Sequence, residues 1–287
     1  MKREGVLSGL TIDYDAQSGA PANYRLAFAE GPDVSLNEHL GAGLEIRATG
    51  TVVCRHCAAV GRRSFGGGYC YDCFTTLARC DLCVMSPDRC HYHQGTCREP
   101  DWGEAFCMQP HLVYLANSSG AKVGITRAGR AAGRWLDQGA IQGLVILEAD
   151  SRRAAGLAEV AIAQLLPDRT DWRKMLRSDV PDLDLLEIRS WLETQALELP
   201  SGVRWVQDSD VAALRYPFSY PEGHDGAVPD KVSLDQGPVA GNLLAMKGQY
   251  LILDSGVLNV RQHAGYRVEF SLGATLPAAG SSQLGLF

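Results

Sequence analysis

Apolar side chains recur at short, partly alternating intervals in the first fifty residues. LSGLTIDYD and NYRLAFAE carry β-branched and aromatic residues in runs that suit half-buried strands, and GLEIRATGTVVC predicts a strand ending at the first cysteine. The pattern changes at His111. HLVYLA reads as an apolar strand, NSSG as a turn and AKVGIT as a second strand. AAGRWLDQG then opens a helix and GLVILEA forms a third strand. SRRAAGLAEVAIAQLL has helical spacing from Ser151, a residue type that caps helix N-termini. DVPDLDLLEIRSWLETQALEL predicts an acidic helix. Residues 203–273 return to strands in LLAMKGQYLILDSG, VLNVRQ and YRVEFSLG. There is no internal repeat.

These shifts divide the 287-residue chain into five stretches. Residues 1–53 are β-rich, 54–110 carry the cysteines, 111–200 mix strands and helices, 201–275 are β-rich, and 276–287 form a small-residue tail. At roughly 150 residues per domain, the length suits two domains. The class expected is α+β, and the β-rich ends can pack together as one discontinuous domain.

Composition narrows the function classes. The chain is 46% hydrophobic and 21% charged, which excludes wholesale disorder and collagen-like architecture. No run reaches the ~18 apolar residues of a membrane span, and MKREGVLSGL has no apolar stretch of the secretory kind. A soluble, cytoplasmic protein is expected. The net charge of −6 argues against a uniformly basic nucleic-acid coat. Residues 121–177 nevertheless hold 10 Lys/Arg against 6 Asp/Glu, while 178–287 hold 7 against 14. A local basic patch binds phosphate despite an acidic whole, although a solvated face produces the same count.

The nine cysteines change the picture most. They fall at 54, 57, 70, 73, 80, 83, 90, 97 and 107, all inside one fifth of the chain. Three CxxC pairs, Cys54/Cys57, Cys70/Cys73 and Cys80/Cys83, are followed by Cys90/His93 at the same spacing. Two intervening residues let both thiolates turn inward on one knuckle, as tetrahedral zinc requires. About two structural zinc ions are expected. Sequential pairing gives Cys54, Cys57, Cys70 and Cys73 to one ion. Cys80 and Cys83 then share the other with two of Cys90, His93 and Cys97. A cross-braced pairing uses much the same residues, and Cys107 or His111 can replace a ligand. Such closed sites act as scaffold and leave no open coordination position.

Residues 112–159 resemble the GIY-YIG endonuclease superfamily. Leu112-Val113-Tyr114 stands where the first motif lies, and Lys122-Val123-Gly124, followed by Thr126, where the second lies. Arg134-Trp135 matches the family arginine, and Glu159 the helix glutamate that binds metal. The resemblance implies a small mixed sheet with helices that hydrolyses phosphodiesters in DNA. Glu159 would hold one Mg²⁺ or Mn²⁺, and Arg134 would fork onto phosphate oxygens. Tyr114 would relay a proton once its pKa is depressed by metal and cations. Lys122 replaces the second motif's tyrosine and serves as base if desolvated, or holds phosphate. Arg130 rivals Arg134, and Arg127 adds a further nucleic-acid contact. A non-catalytic nucleic-acid adaptor on the same fold remains the alternative, with RNA as well as DNA open as partner.

Two further resemblances complete the reading. GYCYDCF, GTCREP, VYLANSSGAKVGITR, RWLDQGA and KGQYLILDSGVLNVRQHAGY are similar to a bacterial cysteine-rich domain family of unknown function, over most of residues 50–270. The terminal Gln283-Leu284-Gly285-Leu286-Phe287 resembles the pentapeptide by which bacterial replication and repair proteins dock on the β sliding clamp. Gln283 would make directed hydrogen bonds while Leu284, Leu286 and Phe287 fill an apolar pocket; folding back onto the chain's own domain is the other fate of such a tail. GHDG at 223–226 reads as a turn, and RRSFGGGYC lacks the Lys-Ser/Thr of a phosphate-binding P-loop. The whole predicts an α+β, zinc-stabilised DNA-repair or replication nuclease whose GIY-YIG-like domain is flanked by β-rich segments.

Overall fold

A computed structural model describes residues 1–15, 18, 20–166, 170–177, 180–207, 213–215 and 230–273. In chain order the first elements are β1 (Lys2–Asp13), β2 (Asn23–Phe28), β3 (Val34–Ser35), β4 (Gly43–Val53), β5 (Val60–Gly61), α1 (Tyr71–Thr76), α2 (Leu82–Met85) and α3 (Pro100–Cys107). Then come β6 (His111–Asn117), β7 (Ala121–Arg127), α4 (Ala131–Asp137), β8 (Gln142–Ala149), α5 (Arg152–Ala163), α6 (Trp172–Leu176) and α7 (Leu185–Glu193). The last are β9 (Val203–Trp205), β10 (Ala213–Arg215), β11 (Lys231–Val232), β12 (Val239–Lys247), β13 (Tyr250–Leu253), β14 (Gly256–Asn259) and β15 (Tyr266–Gly273). The architecture is mixed α and β. No helix among the described residues is long and apolar enough to cross a membrane.

The chain forms two compact units. One comprises residues 1–14, 22–71 and 219–287; the other comprises 15–21 and 72–218, the boundary falling within α1. In the first unit, ten described strands form a sheet in the order β11-β14-β13-β12-β4-β15-β1-β2-β3, with β5 on β4. Strands far apart in sequence meet in it: β15 lies between β1 and β4 and is antiparallel to each. Alternating side chains such as Leu44, Ile46, Val268, Phe270 and Leu272 build its apolar core. Gly9 sits at a register shift between β1 and β2 with φ of +136°, a backbone setting that L side chains rarely adopt. Beside this bulge the Gln249 amide both accepts from the Leu10 N–H (2.9 Å) and donates to the Leu10 carbonyl (2.8 Å).

In the second unit β6 is flanked by β7 and β8, giving the order β10-β8-β6-β7 with β9 also on β8. Val113, Leu115, Val123 and Ile125 present one face to α5 and α7, where Ala155, Ala158, Ile162 and Leu192 complete a second apolar core. Ser151 caps α5, its Oγ accepting from the Ala154 N–H at 3.2 Å. The Asn117 amide donates to Gln142 and to the Pro181 carbonyl (2.7 and 2.8 Å), tying the segment before α7 to the sheet.

Several boundaries differ from the sequence pattern. The helix expected over 179–199 is only the nine residues of α7. Asp184 caps its start by accepting from the Glu187 N–H, and Ala196, at φ of +50°, follows its end. VLNVRQ is half strand: after β14, Asn259 caps a 3-10 turn over Val260–His263. β9 and β10 pair with β8, so residues expected in the C-terminal β-rich stretch belong to the central sheet. The cysteine-bearing stretch also divides, 54–71 falling in the first unit and 72–110 in the second.

Candidate functional site

The first two knuckles sit where β4 runs out. The Cys54 N–H bonds the Ala59 carbonyl and the Ala58 N–H bonds the Cys54 carbonyl, folding the chain back toward β5. Ala58 takes φ of +59° to make the turn. Phe65 and Tyr69 exchange backbone hydrogen bonds around the three glycines, so the second knuckle returns beside the first. The Sγ atoms of Cys54, Cys57, Cys70 and Cys73 then all lie within 4.8 Å of one another. Cys57 and Cys70 are 3.7 Å apart. With Zn–S bonds of ~2.3 Å, a tetrahedral tetrathiolate has S···S edges of about 3.8 Å, so the donor set fits zinc. These four cysteines can hold a zinc ion, and the sequential pairing is the one the fold brings together.

Electrostatics agree with thiolate ligation. Burial raises the Cys54 thiol pKa, but backbone N–H groups of Cys57, Cys70 and His56 outweigh it and bring the value down to about 6.

The other cysteines gather in the second unit. Cys83, Cys90, Cys97 and Cys107 line one cavity with Asp81 and His91; Cys80 and His93 are not among its lining residues. Burial, with the Asp81 charge, pushes Cys83 up to about 12, and burial pushes Cys107 up to about 11 against the lowering effect of Arg152. Asp81, Cys83 and His91 also bring their donor atoms within 4.8 Å of one another. His111 is buried at the start of β6. Its Nδ1 donates to the Gln109 carbonyl at 2.7 Å, and burial lowers its pKa to about 4.

Alternation along the central hairpin sorts the remaining candidates. Tyr114 pairs with Gly124 and Ala116 with Lys122, so Tyr114, Lys122 and Gly124 share the face opposite Val113 and Val123. Tyr114 is fully buried and packs edge-on against Trp135 of α4 at 6.0 Å. Two glycines make room. A Cβ on Gly124 would come within 2.6 Å of the Tyr114 hydroxyl, and one on Gly143 within 2.2 Å of the Trp135 ring. The Tyr114 hydroxyl donates to Gln138 Oε1 at 3.1 Å.

Arg134 and Glu159 both act electrostatically on this phenol, although they come from α4 and α5. Burial raises the Tyr114 pKa, Arg134 opposes that, and Glu159 adds to it. The net direction is upward, opposite to the depressed phenol that the sequence resemblance implies, because no charge within the chain outweighs desolvation of the phenolate. Arg134 is exposed, Glu159 half-buried and Lys122 buried. Arg130 is exposed just ahead of α4. Arg127 lies over the Phe106 ring at 4.8 Å, on the register face away from Tyr114.

Gln138, Gly143 and Arg152 belong to these surroundings and were missed by sequence reasoning. Gln138 stands four residues after Arg134, a helical spacing that could have drawn attention to it. Residues 283–287 lie outside the described residues, as does GHDG at 223–226.

No curated protein and no solved structure matches the chain. A family model described as "Protein of unknown function (DUF2797)" matches residues 41–268, a span that takes in the cysteine knuckles, the central hairpin, both helices bearing Arg134 and Glu159, and most of the large sheet. The chain belongs to the DUF2797 family.

Proposed function

We propose that this protein is a zinc-stabilised DNA-processing enzyme, a GIY-YIG-like endonuclease hydrolysing phosphodiesters in repair or replication. The observation that carries the reading is the meeting of Tyr114, Arg134 and Glu159, from β6, α4 and α5, in one electrostatic neighbourhood. The exposed Arg134 guanidinium would bind two non-bridging phosphate oxygens and orient the scissile group. Arg130, close by and exposed, would hold a flanking phosphate. Glu159 would hold a hard divalent cation, Mg²⁺ or Mn²⁺, which when bound supplies polarisation of the phosphate. The raised pKa keeps Tyr114 a neutral O–H donor at neutral pH, so it would steady charge building on a phosphate oxygen. Lys122, on the same register face, would hold phosphate or serve as base. The Gln283–Phe287 tail would tether the enzyme to the β sliding clamp.

A second reading has its own support. Tyr114 is fully buried and its proton is already given to Gln138, a setting that favours a core tyrosine and a nucleic-acid-binding adaptor without cleavage.

Cleavage of labelled linear and branched DNA with Mg²⁺ or Mn²⁺, wild type against Glu159→Gln, separates the two. Cutting by wild type that falls at least about a hundredfold in the variant supports the nuclease. DNA binding with no cutting by either protein supports the adaptor. Equal cutting by both rejects Glu159 as the metal-holding residue.

A further inference from the structure

We propose that Asp81, Cys83 and His91 form a second zinc centre, one that keeps a coordination position open. It is distinct from the closed Cys54–Cys73 site and independent of whether the chain cleaves DNA. A carboxylate oxygen of Asp81, Cys83 Sγ and a ring nitrogen of His91 lie within 4.8 Å of one another. The three side chains come from one short stretch. Asp81 caps α2, its Oδ1 accepting from the Cys83 N–H at 3.1 Å. Cys83 is the second residue of that helix, and His91 immediately precedes the 3-10 turn Tyr92–Gln94. All three line the same cavity, whose volume of about 10 Å³ admits one water-sized particle.

Hydrogen bonding around the imidazole identifies Nε2 as its free donor atom. His91 Nδ1 lies 2.8 Å from Thr96 Oγ1, and that hydroxyl donates to the His91 carbonyl at 3.3 Å. A hydroxyl has one proton to give. With that proton on the carbonyl, Nδ1 carries the ring proton and donates to Oγ1, so Nε2 keeps its lone pair. Nε2 stands 3.6 Å from Asp81 Oδ1. That is too long for a hydrogen bond. Two ligands on one zinc, with bonds of ~2.0–2.2 Å, lie about 3.4 Å apart, so the spacing suits a shared ion. Lone pairs that face each other in this way repel unless a cation stands between them.

The ligands are themselves held in place. Asp81 Oδ2 pairs with Arg98 Nε at 2.7 Å, and Arg98 Nη1 donates to the Phe74 and Leu77 carbonyls at 3.2 and 3.3 Å. Arg98 thus fixes the carboxylate and leaves a lone pair of Oδ1 for the metal, as Thr96 does for the imidazole. The charges also match. One carboxylate and one thiolate neutralise Zn²⁺, and a neutral imidazole adds nothing, so the centre needs no further counter-ion.

An oxygen, a sulfur and a nitrogen donor together suit zinc. Three protein ligands leave a fourth tetrahedral position, which solvent reaches because all three side chains are partly exposed. Cys90, Cys97 and Cys107 line the cavity without joining this donor group. Cys97 Sγ donates instead to the Glu99 carbonyl at 3.5 Å.

The test is the metal content and the cobalt spectrum of the purified full-length chain. About two zinc ions are expected in wild type, Cys80→Ser and Cys97→Ser, and about one in His91→Ala. After exchange for cobalt, one ion should add about a quarter of the thiolate charge-transfer intensity of the other, one thiolate against four. Cys54→Ser should lose the intense band and keep the faint one. Thr96 is exposed, and Thr96→Val should weaken the second zinc at least about tenfold while leaving the first unchanged. One zinc in wild type would make His91 an imidazolium paired with Asp81 and overturns the proposal. So does equal charge transfer from both ions, two zinc ions in His91→Ala, or loss of one in Cys97→Ser. The wild-type spectrum decides even if His91→Ala fails to fold.

Discussion

The Tyr114 hydroxyl lies so close over Gly124 that a single added methyl would come within 2.6 Å of it. The partner strand leaves the phenol no slack, and Trp135 closes the ring's other side. Gly124→Ala should therefore displace Tyr114 or part the strands, costing about 1–3 kcal/mol as overpacking does. Tyr114→Phe removes only the hydroxyl bonded to Gln138 and should cost about 1 kcal/mol. Denaturant unfolding of both variants checks the order. A glycine variant milder than the phenylalanine one would refute the tight seat.

His111 makes stability pH-dependent. Burial holds its imidazole down at about 4, against an ordinary value near 6.5, so between these values the unfolded chain binds the extra proton. The stabilisation is full above pH ~6.5 and is lost as pH falls toward about 4, on the order of 3 kcal/mol in all. His263, also lowered first by burial, slopes the same way. The informative quantity is thus the difference between wild type and His111→Asn, whose amide can still donate to the Gln109 carbonyl. Unfolding free energies should converge as the buffer moves from pH 7 to pH 4.5. Parallel curves would show that His111 does not titrate with folding.

Removing zinc from the first knuckles should open them locally. Cys54→Ser, or a chelator, takes away the cross-link over β5, and Arg55, Arg62 and Arg63 are exposed there. Limited trypsin digestion should cut at these arginines at least about tenfold faster without metal, since a structural zinc site contributes folding free energy directly. Unchanged cleavage would mean that hydrogen bonds such as Phe65 to Tyr69 hold the turn unaided.

Deleting Gln283–Phe287 should abolish co-elution with the β sliding clamp while leaving the unfolding midpoint unchanged. A drop in the midpoint instead would mean that Leu284, Leu286 and Phe287 pack on the chain's own domain.

Short-range spacing by itself determined a good deal about this protein. The knuckles Cys54/Cys57 and Cys70/Cys73 were legible because the two ligands of each are neighbours along the chain, while the choice of sequential over cross-braced pairing came from the fold. The β6–β7 hairpin and α5 from Ser151 were legible for the same reason: pairing, period and cap are local. The tertiary structure decided whatever depends on chain segments far apart. It placed β15 between β1 and β4, drew β9 and β10 onto β8, and brought Cys107 into the lining of the same cavity as Cys83. It also buried Tyr114 under Trp135, reversing the direction of its pKa. Desolvation is a sum over all neighbours, and a residue's periodicity records only which way it faces, not what arrives to cover it.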